Sequence, residues 1–304
     1  VRDFSRRLRI PSEFAYLCKI RKVMDNFIVS ARKYRPATFA SVVGQSHITS
    51  TLRNAIARRQ LAHAYLFCGP RGVGKTTCAR IFAKAINCLD PAADGEACNE
   101  CESCRAFNEG RSFNIHELDA ASNNSVDDIR TLTEQVRIPP QIGRYSVYII
   151  DEVHMLSLQA FNAFLKTLEE PPAHAVFILA TTEKHKIIPT ILSRCVRLNL
   201  KAVRDQDIRE YLMDKMKIPD YQADVSLKFA QGNVGKAVQL ASSETFAAMK
   251  DEALSLLHET DRMELYELMD AVKKISDYKN DIDSFLDIVT IWLRDVLMFK
   301  ATQD

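Results

Sequence analysis

No stretch of this 304-residue chain reaches the ~18 consecutive apolar residues that a membrane-spanning helix needs. No membrane partner is therefore expected, and the apolar content of 47% is available for packed cores. Excess charge is lacking too. A formal net of +2 argues against a generally polycationic nucleic-acid binder, while leaving room for a local patch. Aromatic residues are not interleaved with basic ones as in a nucleic-acid reader. Internal repeats and low-complexity tracts are absent, and the length suits about two domains. Residues 1–23 lack both an adequate apolar core and a small-residue cleavage site, so they make a poor signal peptide. They hold seven Lys/Arg against two Asp/Glu, and the first methionine is Met24. They are expected to be a non-native or disordered extension; a basic arm for nucleic acid is the other reading.

What is present begins at Gly69. Gly69, Pro70, Arg71, Gly72, Val73, Gly74, Lys75 and Thr76 form a Gly-x-x-x-x-Gly-Lys-Thr phosphate loop. It follows the apolar run Ala64–Cys68 and precedes a helical stretch, Thr77 to Ala85, which is the setting that pattern requires. Glycines let backbone N–H groups close on phosphate oxygens. The opening helix adds its positive end to the same anion. Lys75 is expected to reach the outer phosphates of ATP, and Thr76 to hold Mg²⁺.

Strand candidates are Ala64–Cys68, Asn114–Leu118, Ser146–Ile150, Val176–Ala180 and Val196–Leu200. The third and fourth are near-continuous apolar runs, as strands buried on both faces should be. Helices between them predict an α/β fold with a parallel five-stranded sheet. Ser125 and Asp128 form a box-like helix start before Ile129. One helix after Asp151 shows its apolar face at Leu156, Ala160, Ala163, Phe164 and Leu168. After Leu200 the strand signals stop. Asp205 to Lys215, Gln222 to Phe229 and Lys236 to Ala241 read as short helices. Longer ones follow from about Thr245, with stripes at Leu265, Leu268, Met269 and Val272, and at Phe285, Ile288, Val289, Trp292 and Val296. These read as helix-packing faces.

Asp151 and Glu152 end an apolar strand. There Asp151 can hold Mg²⁺ through its water shell, and Glu152 can orient or deprotonate an attacking water. Thr181 and Thr182 end the next strand, where a hydroxyl can sense the terminal phosphate or merely close the strand. Arg194, in Ser193-Arg194-Cys195, can stabilise transferred-phosphoryl charge in a neighbouring subunit or be a surface residue. Cys88, Cys98, Cys101 and Cys104 offer four thiolates at spacings that suit tetrahedral Zn²⁺. With all four positions filled by protein, such a metal is structural. The other cysteines, Cys18, Cys68, Cys78 and Cys195, read as small core residues. A nucleotide loop without an export signal points to the cytoplasm, where disulfides are rare.

Together these motifs resemble the gamma/tau family of bacterial DNA polymerase III clamp-loader subunits. The resemblance rests on Arg32-Lys33-Tyr34-Arg35-Pro36, Val42-Val43-Gly44-Gln45, His63 to Phe67, the phosphate loop and the four cysteines. It continues through Asp119 to Asn123, Asp151 to Leu156, Lys166 to Pro172 and Ser193-Arg194-Cys195. It implies an AAA+ P-loop ATPase core over 24–200 with a zinc insertion at 88–104. A helical lid over 201–243 and a partial helical collar over 244–304 would follow. It further implies a five-membered ring with gamma/tau, delta and delta-prime subunits that loads a sliding clamp onto primed DNA, touching DNA through phosphates. By family naming the assembly is a DNA-directed DNA polymerase, a transferase. Tyr34, Arg35, Pro36 and Val43 would lie around adenine and ribose, and Thr77 would border the phosphates. Thr181 or Thr182 would be the first sensor, and Arg194 would act on the next subunit's ATP. Residues after about 195 look more like delta-prime, a non-hydrolysing subunit of the same assembly. The family's second-sensor arginine is replaced by Gly235.

Overall fold

A computed structural model describes residues 36–140, 143–259, 263–276 and 281–302. Five strands form one all-parallel sheet: β1 (Ala64–Cys68), β2 (Ile115–Asp119), β3 (Ser146–Asp151), β4 (Ala175–Thr181) and β5 (Val196–Asn199), in the order β2-β3-β4-β1-β5. The three central strands, β3, β4 and β1, are buried on both faces, save for the half-exposed Asp151 at the tip of β3. The edge strands β2 and β5 alternate or lie open. That difference is why the central strands read as continuous apolar runs.

Alternate residues feed two cores. One face carries Tyr65, Phe67, Val147, Ile149, Val176 and Ile178. These pack with Leu52 of α1 (Ser46–Ala57) and with Cys78 and Phe82 of α2 (Lys75–Ile86). The other carries Leu66, Tyr148, Ile150, Phe177 and Leu179. α4 (Val126–Val136) covers them with Ile129 and Leu132, and α5 (Leu158–Glu169) with Phe161 and Phe164. The short helix α3 (Glu102–Asn108) belongs to the cysteine loop. α6 (Pro189–Leu192) leads into β5. The Ser125 cap forms as expected: its hydroxyl accepts the Asp128 N–H at 3.2 Å, and its own N–H donates to the Asp128 carboxylate at 3.2 Å.

Several boundaries differ from the sequence reading. The second strand starts at Ile115, because its pairing with β3 runs to Asp119 opposite Asp151. α2 begins at Lys75, not Thr77, since the left-handed Gly74 caps it directly. Leu156 precedes α5, yet it is buried beside it. The stretch from Asp205 to Lys215 is not one regular helix. α7 (Asp205–Glu210) widens into a π-turn over Tyr211–Lys215.

Beyond the sheet, α8 (Asp220–Ala230) and α9 (Val234–Ala241) pack with α7 around Ile208, Leu212, Ala223, Leu227 and Val238. Phe229 and Leu240 face a second group made with Phe246 and Met249 of α10 (Glu244–Glu259) and Phe285 and Ile288 of α12 (Ile282–Thr302). In α11 (Leu265–Ser276) Met269 is exposed, while Ile275 packs against that second group. The side chains of Leu265, Leu268 and Val272 lie outside the described residues. Among the described residues no helix is long and apolar enough to cross a membrane.

Candidate functional site

All strands point the same way, so the loops after β1, β3 and β4 meet along one edge. Ligands in open parallel sheets bind at that carboxyl edge. Register brings the pieces together: Cys68 sits opposite Thr181, and the Gly69 N–H donates to the Thr181 carbonyl at 3.2 Å. The loop turns through Gly72 (φ 78°) and Gly74 (φ 99°), a region of backbone space that side chains avoid. A Cβ at Gly74 would meet nothing within 4 Å, so its glycine serves the backbone turn alone. A Cβ at Gly72 would collide with the Asn233 side chain at the start of α9.

Lys75 is almost fully buried, and its ammonium donates to the carbonyls of Gly69 at 3.0 Å and Pro70 at 2.9 Å. Burial pushes its pKa down, while Glu152 and Asp151 pull it back up. Thr76 Oγ1 donates to Asp151 Oδ2 at 2.5 Å. Asp151 Oδ1 accepts the Glu152 N–H at 3.0 Å. Glu152 itself sits in the left-handed region (φ 48°, ψ 44°), a strained position for a non-glycine residue. Its carboxylate accepts from the Thr182 hydroxyl at 3.1 Å and the Thr182 N–H at 3.3 Å. Thr181 is different: it is fully buried, contacts His154 Nδ1 at 3.1 Å and accepts the Glu183 N–H at 3.0 Å. Of the two threonines, Thr182 is the one that touches the acidic pair. An ammonium, a hydroxyl and two carboxylates thus line one end of the sheet, matched to a phosphate chain with a divalent cation.

The other expected residues spread around this centre. Tyr34 and Arg35 lie outside the described residues. Pro36 and Val43 are half-buried, Pro70 and Arg71 exposed, Val73 buried, and Thr77 half-buried in the first turn of α2. Gln45, buried, ties the segment around Val43 to its neighbours: Nε2 donates to the Lys201 carbonyl at 2.7 Å and reaches the Val73 carbonyl at 3.5 Å. A cavity of about 640 Å³ opens between this segment and α7, lined by Val43, Gly44, Lys201, Arg204 and Tyr211. Arg194 stands apart. Its guanidinium donates to the Thr190 carbonyl and to Glu169, each at 2.8 Å, and the side chain is about one-third exposed. Gly235 stands where a Cβ would meet only the Asn233 side chain, at 3.4 Å. The adjacent Lys236 is drawn to Asp287 of α12 at 2.7 Å.

The four cysteines converge. The sulfurs of Cys88, Cys98, Cys101 and Cys104 all lie within 4.8 Å of one another. Zn–S bonds of about 2.3 Å at tetrahedral angles separate sulfurs by about 3.8 Å. Cys88 lies 3.4 Å from Cys98 and 4.0 Å from Cys101, which brackets that spacing. Backbone N–H groups of Cys98 and Cys101 donate to the sulfurs of Cys88 and Cys98, each at 3.3 Å. Burial works against the Cys101 thiolate. Hydrogen bonds from the Leu89 and Cys104 backbone and the Cys104 and Cys98 side chains outweigh it and bring the thiol down to about 6. Burial pushes Cys88 and Cys104 up. The residues fit a four-thiolate zinc. Elsewhere Cys68 and Cys78 are buried in the core, with Cys78 pushed up to about 12, and Cys195 is half-buried; Cys18 lies outside the described residues.

Sequence reasoning missed Asn233, Glu169, His154, Glu96 and Lys84. Only Asn233 had a local signal, as the cap whose side chain accepts the Lys236 N–H at 2.8 Å. The others act across the fold, where spacing says nothing.

Comparison with known proteins agrees with this geometry. The family model described as DNA polymerase III, delta subunit, matches residues 44–204. DNA polymerase III subunit tau of Bacillus subtilis is 41% identical over 291 residues, covering 89% of this chain and 52% of that protein. That span cannot stop at residue 195, so likeness to tau continues into the back half. Subunit tau/gamma of Haemophilus influenzae is 48% identical over 220 residues, 71% of this chain and 32% of its own length. The chain therefore spans about half the length, or less, of these relatives. Among solved structures, RuvB of Thermotoga maritima, a Holliday junction branch migration motor, superposes with a TM-score of 0.50 at 18% identity, covering 79% of this chain and 72% of that one. The fold is thus of the AAA+ P-loop type.

Proposed function

The chain belongs to the DNA polymerase III subunit family, and from that premise we propose that it is an ATP-hydrolysing clamp-loader subunit of gamma/tau type, acting in DNA replication. The observation that carries this is the meeting of Lys75, Thr76, Asp151, Glu152 and Thr182 at one sheet edge. A subunit that only bound or scaffolded would need no such set. Transferase chemistry is not supported by any of these groups.

In this reading ATP lies on the phosphate loop. Backbone N–H groups between Gly69 and Thr76 bind its phosphates, and Lys75 exchanges its two loop carbonyls for phosphate oxygens. Thr76 and Asp151 hold Mg²⁺, which would neutralise phosphate charge when bound. Glu152 orients the attacking water and takes its proton, with Thr182 fixing the carboxylate that does so. Thr182 is the first-sensor candidate that this geometry favours. Arg194 serves the ATP of a neighbouring subunit, so an isolated chain turns over slowly. Zinc on the four cysteines has no open position and is structural.

The partners in this proposal are gamma/tau, delta and delta-prime subunits in a five-membered ring, a sliding clamp, and primed DNA held through phosphates, in the cytoplasm. Leu286, Leu293 and Leu297 of α12 are exposed at helical spacing, which supports subunit contact in the collar. The delta-prime reading is not favoured, since the loop and both acids are intact and likeness to tau reaches the back half. The test is ATP turnover by the full chain, alone and with delta, delta-prime, clamp and primed DNA. Turnover that rises in the complete mixture and disappears in Glu152→Gln supports the proposal. Turnover unaffected by that change refutes it.

A further inference from the structure

The cysteine loop is wired into the nucleotide site. α2 starts at Lys75 and ends at Ile86, two residues before Cys88. Near its end Lys84 is buried at 3% exposure. Its ammonium donates to the Ala37 carbonyl at 2.9 Å and Asn99 Oδ1 at 2.6 Å, and reaches Asn108 Oδ1 at 3.4 Å. Asn99 lies between Cys98 and Cys101, and Asn108 ends the helix that carries Cys104. A buried ammonium is costly unless its donors are met. Here the acceptors come from the cysteine loop on one side and the chain at Ala37 on the other.

Glu96, two residues before Cys98, makes the second link. Its carboxylate accepts the N–H groups of Phe39 at 3.2 Å and Ala40 at 2.9 Å. These open the single 3-10 turn Phe39–Ser41, whose first N–H groups have no partner within the turn. Arg53 adds a third, donating to the Asp94 carbonyl at 2.8 Å. Gly95 lies so close that a Cβ would come within 2.9 Å of the Arg53 carbonyl. The held segment then runs through Val43 and Gly44 to Gln45. Gln45 touches the phosphate loop at Val73, and a Cβ at Gly44 would overlap Val203 in front of the lid. In the ATP reading the base lies on this side, where a cavity lined by Val43, Gly44 and Arg204 opens between segment and lid.

We propose that the four-cysteine loop is a positioning device for the base end of the nucleotide site, acting through Glu96 and Lys84. The metal keeps the loop in shape; the loop keeps Ala37–Gln45 in place. This rests on the ATP reading above. The test uses the full chain loaded with zinc, with titration calorimetry of ATP and of inorganic tripolyphosphate, both with magnesium. In Glu96→Ala, ATP affinity falls about tenfold, the scale of one lost charge-assisted hydrogen bond. Tripolyphosphate affinity stays within about twofold, because the phosphate grip is untouched. Glu96→Gln, which keeps an acceptor oxygen, recovers part of the loss. Removing zinc with a chelator gives the same split and speeds hydrogen exchange at the Phe39 and Ala40 amides. ATP and tripolyphosphate weakening together, or neither weakening, overturns the positioning role. If the unmodified chain takes up no ATP, the nucleotide reading itself falls, a result distinct from ATP uptake that ignores Glu96.

Discussion

Lys75 offers the sharpest test, because its effects on stability and on binding should separate. In the free protein its buried ammonium is held, among the described residues, by the Gly69 and Pro70 carbonyls. Burial already disfavours the charge, which is why its pKa is lowered. In Lys75→Met two hydrogen bonds are lost, each worth about 1 kcal/mol net, with charge assistance raising this toward 1.5–3. Against that, a buried charge with a penalty of a few kcal/mol disappears and a flexible apolar chain of similar length fills the space. Pro70 is exposed and Gly69 half-exposed, so water satisfies their freed carbonyls. The two sides nearly cancel, and the melting point of the free variant should move by no more than about 2–3 °C.

Binding behaves otherwise. ATP with magnesium at about 100 times its Kd stabilises the unmodified protein by about 2.7 kcal/mol, a rise of about 4 °C for a chain of this size. Losing the ammonium removes charge-assisted contacts of about 3 kcal/mol or more to phosphate, which weakens binding by at least about 100-fold. At the same ATP concentration the residual stabilisation is then about 0.4 kcal/mol, or about 1 °C. The assay is a pair of melting curves, with and without ATP and magnesium, for both proteins. A Lys75→Met protein that keeps more than half of the ligand-induced shift would refute the placement of ATP on this loop. A free variant that melts far lower would refute the balance drawn for the buried charge.

Three further outcomes are expected. Glu152→Gln keeps ATP affinity within a fewfold and lowers turnover about 10²–10⁴-fold, checked by binding and steady-state assays on the same preparation; equal losses in both would mean that Glu152 only holds the site together. Arg194→Ala leaves the chain's own ATP affinity unchanged and lowers turnover of the assembled ring about 10³-fold, whereas an effect on the isolated chain's binding would place Arg194 at its own site. Zinc uptake by metal-free protein at about pH 7.5 releases protons from Cys88 and Cys104, whose thiols are pushed up, and none from Cys101, which is already ionised above about 6. Calorimetry in buffers of different ionisation enthalpy counts those protons, and a count of zero would contradict a thiol-rich ligand set.

The sheet was legible because its three central strands are buried on both faces and so spell unbroken apolar runs. The Gly69–Thr76 loop was legible because phosphate chemistry demands glycines and a lysine at fixed spacing. The cysteine cluster was legible for the same reason. Tyr211–Lys215 was not: a π-turn carries the same side-chain types as the regular helix before it, with Leu212 buried beside Ile208 and Leu227 as a regular helix could also place it. Met269 fits a helix-packing face by period alone, yet its side chain is exposed. Glu96, Glu169 and His154 were invisible because their partners lie 15 or more residues away or on another strand tip, as when Glu169 meets Arg194 25 positions on. The choice between Thr181 and Thr182 likewise needed the fold. Successive residues leave a strand on opposite faces, and only pairing with β3 decides which one meets Glu152.

A common property links these hidden contacts. Each charged or polar group of the site already has a partner inside the protein. Lys75 bonds its own loop, Thr76 bonds Asp151, Glu152 bonds Thr182, and Arg194 bonds Glu169. Lys236, next to Gly235, is likewise paired, with Asp287. A ligand must therefore exchange these partners, not find free ones. A single phosphate can displace the carbonyls from Lys75, but it leaves Thr76 and Asp151 paired. A nucleotide triphosphate with its cation offers substitutes to Lys75, Thr76 and Asp151 at once. In the proposed function Glu152 and Arg194 would be released by later events, the arrival of water and of a neighbouring subunit. On that proposal binding and turnover would be separable: the first decided at the phosphate loop, the second at two pairs, Glu152–Thr182 and Arg194–Glu169, that the loop does not touch.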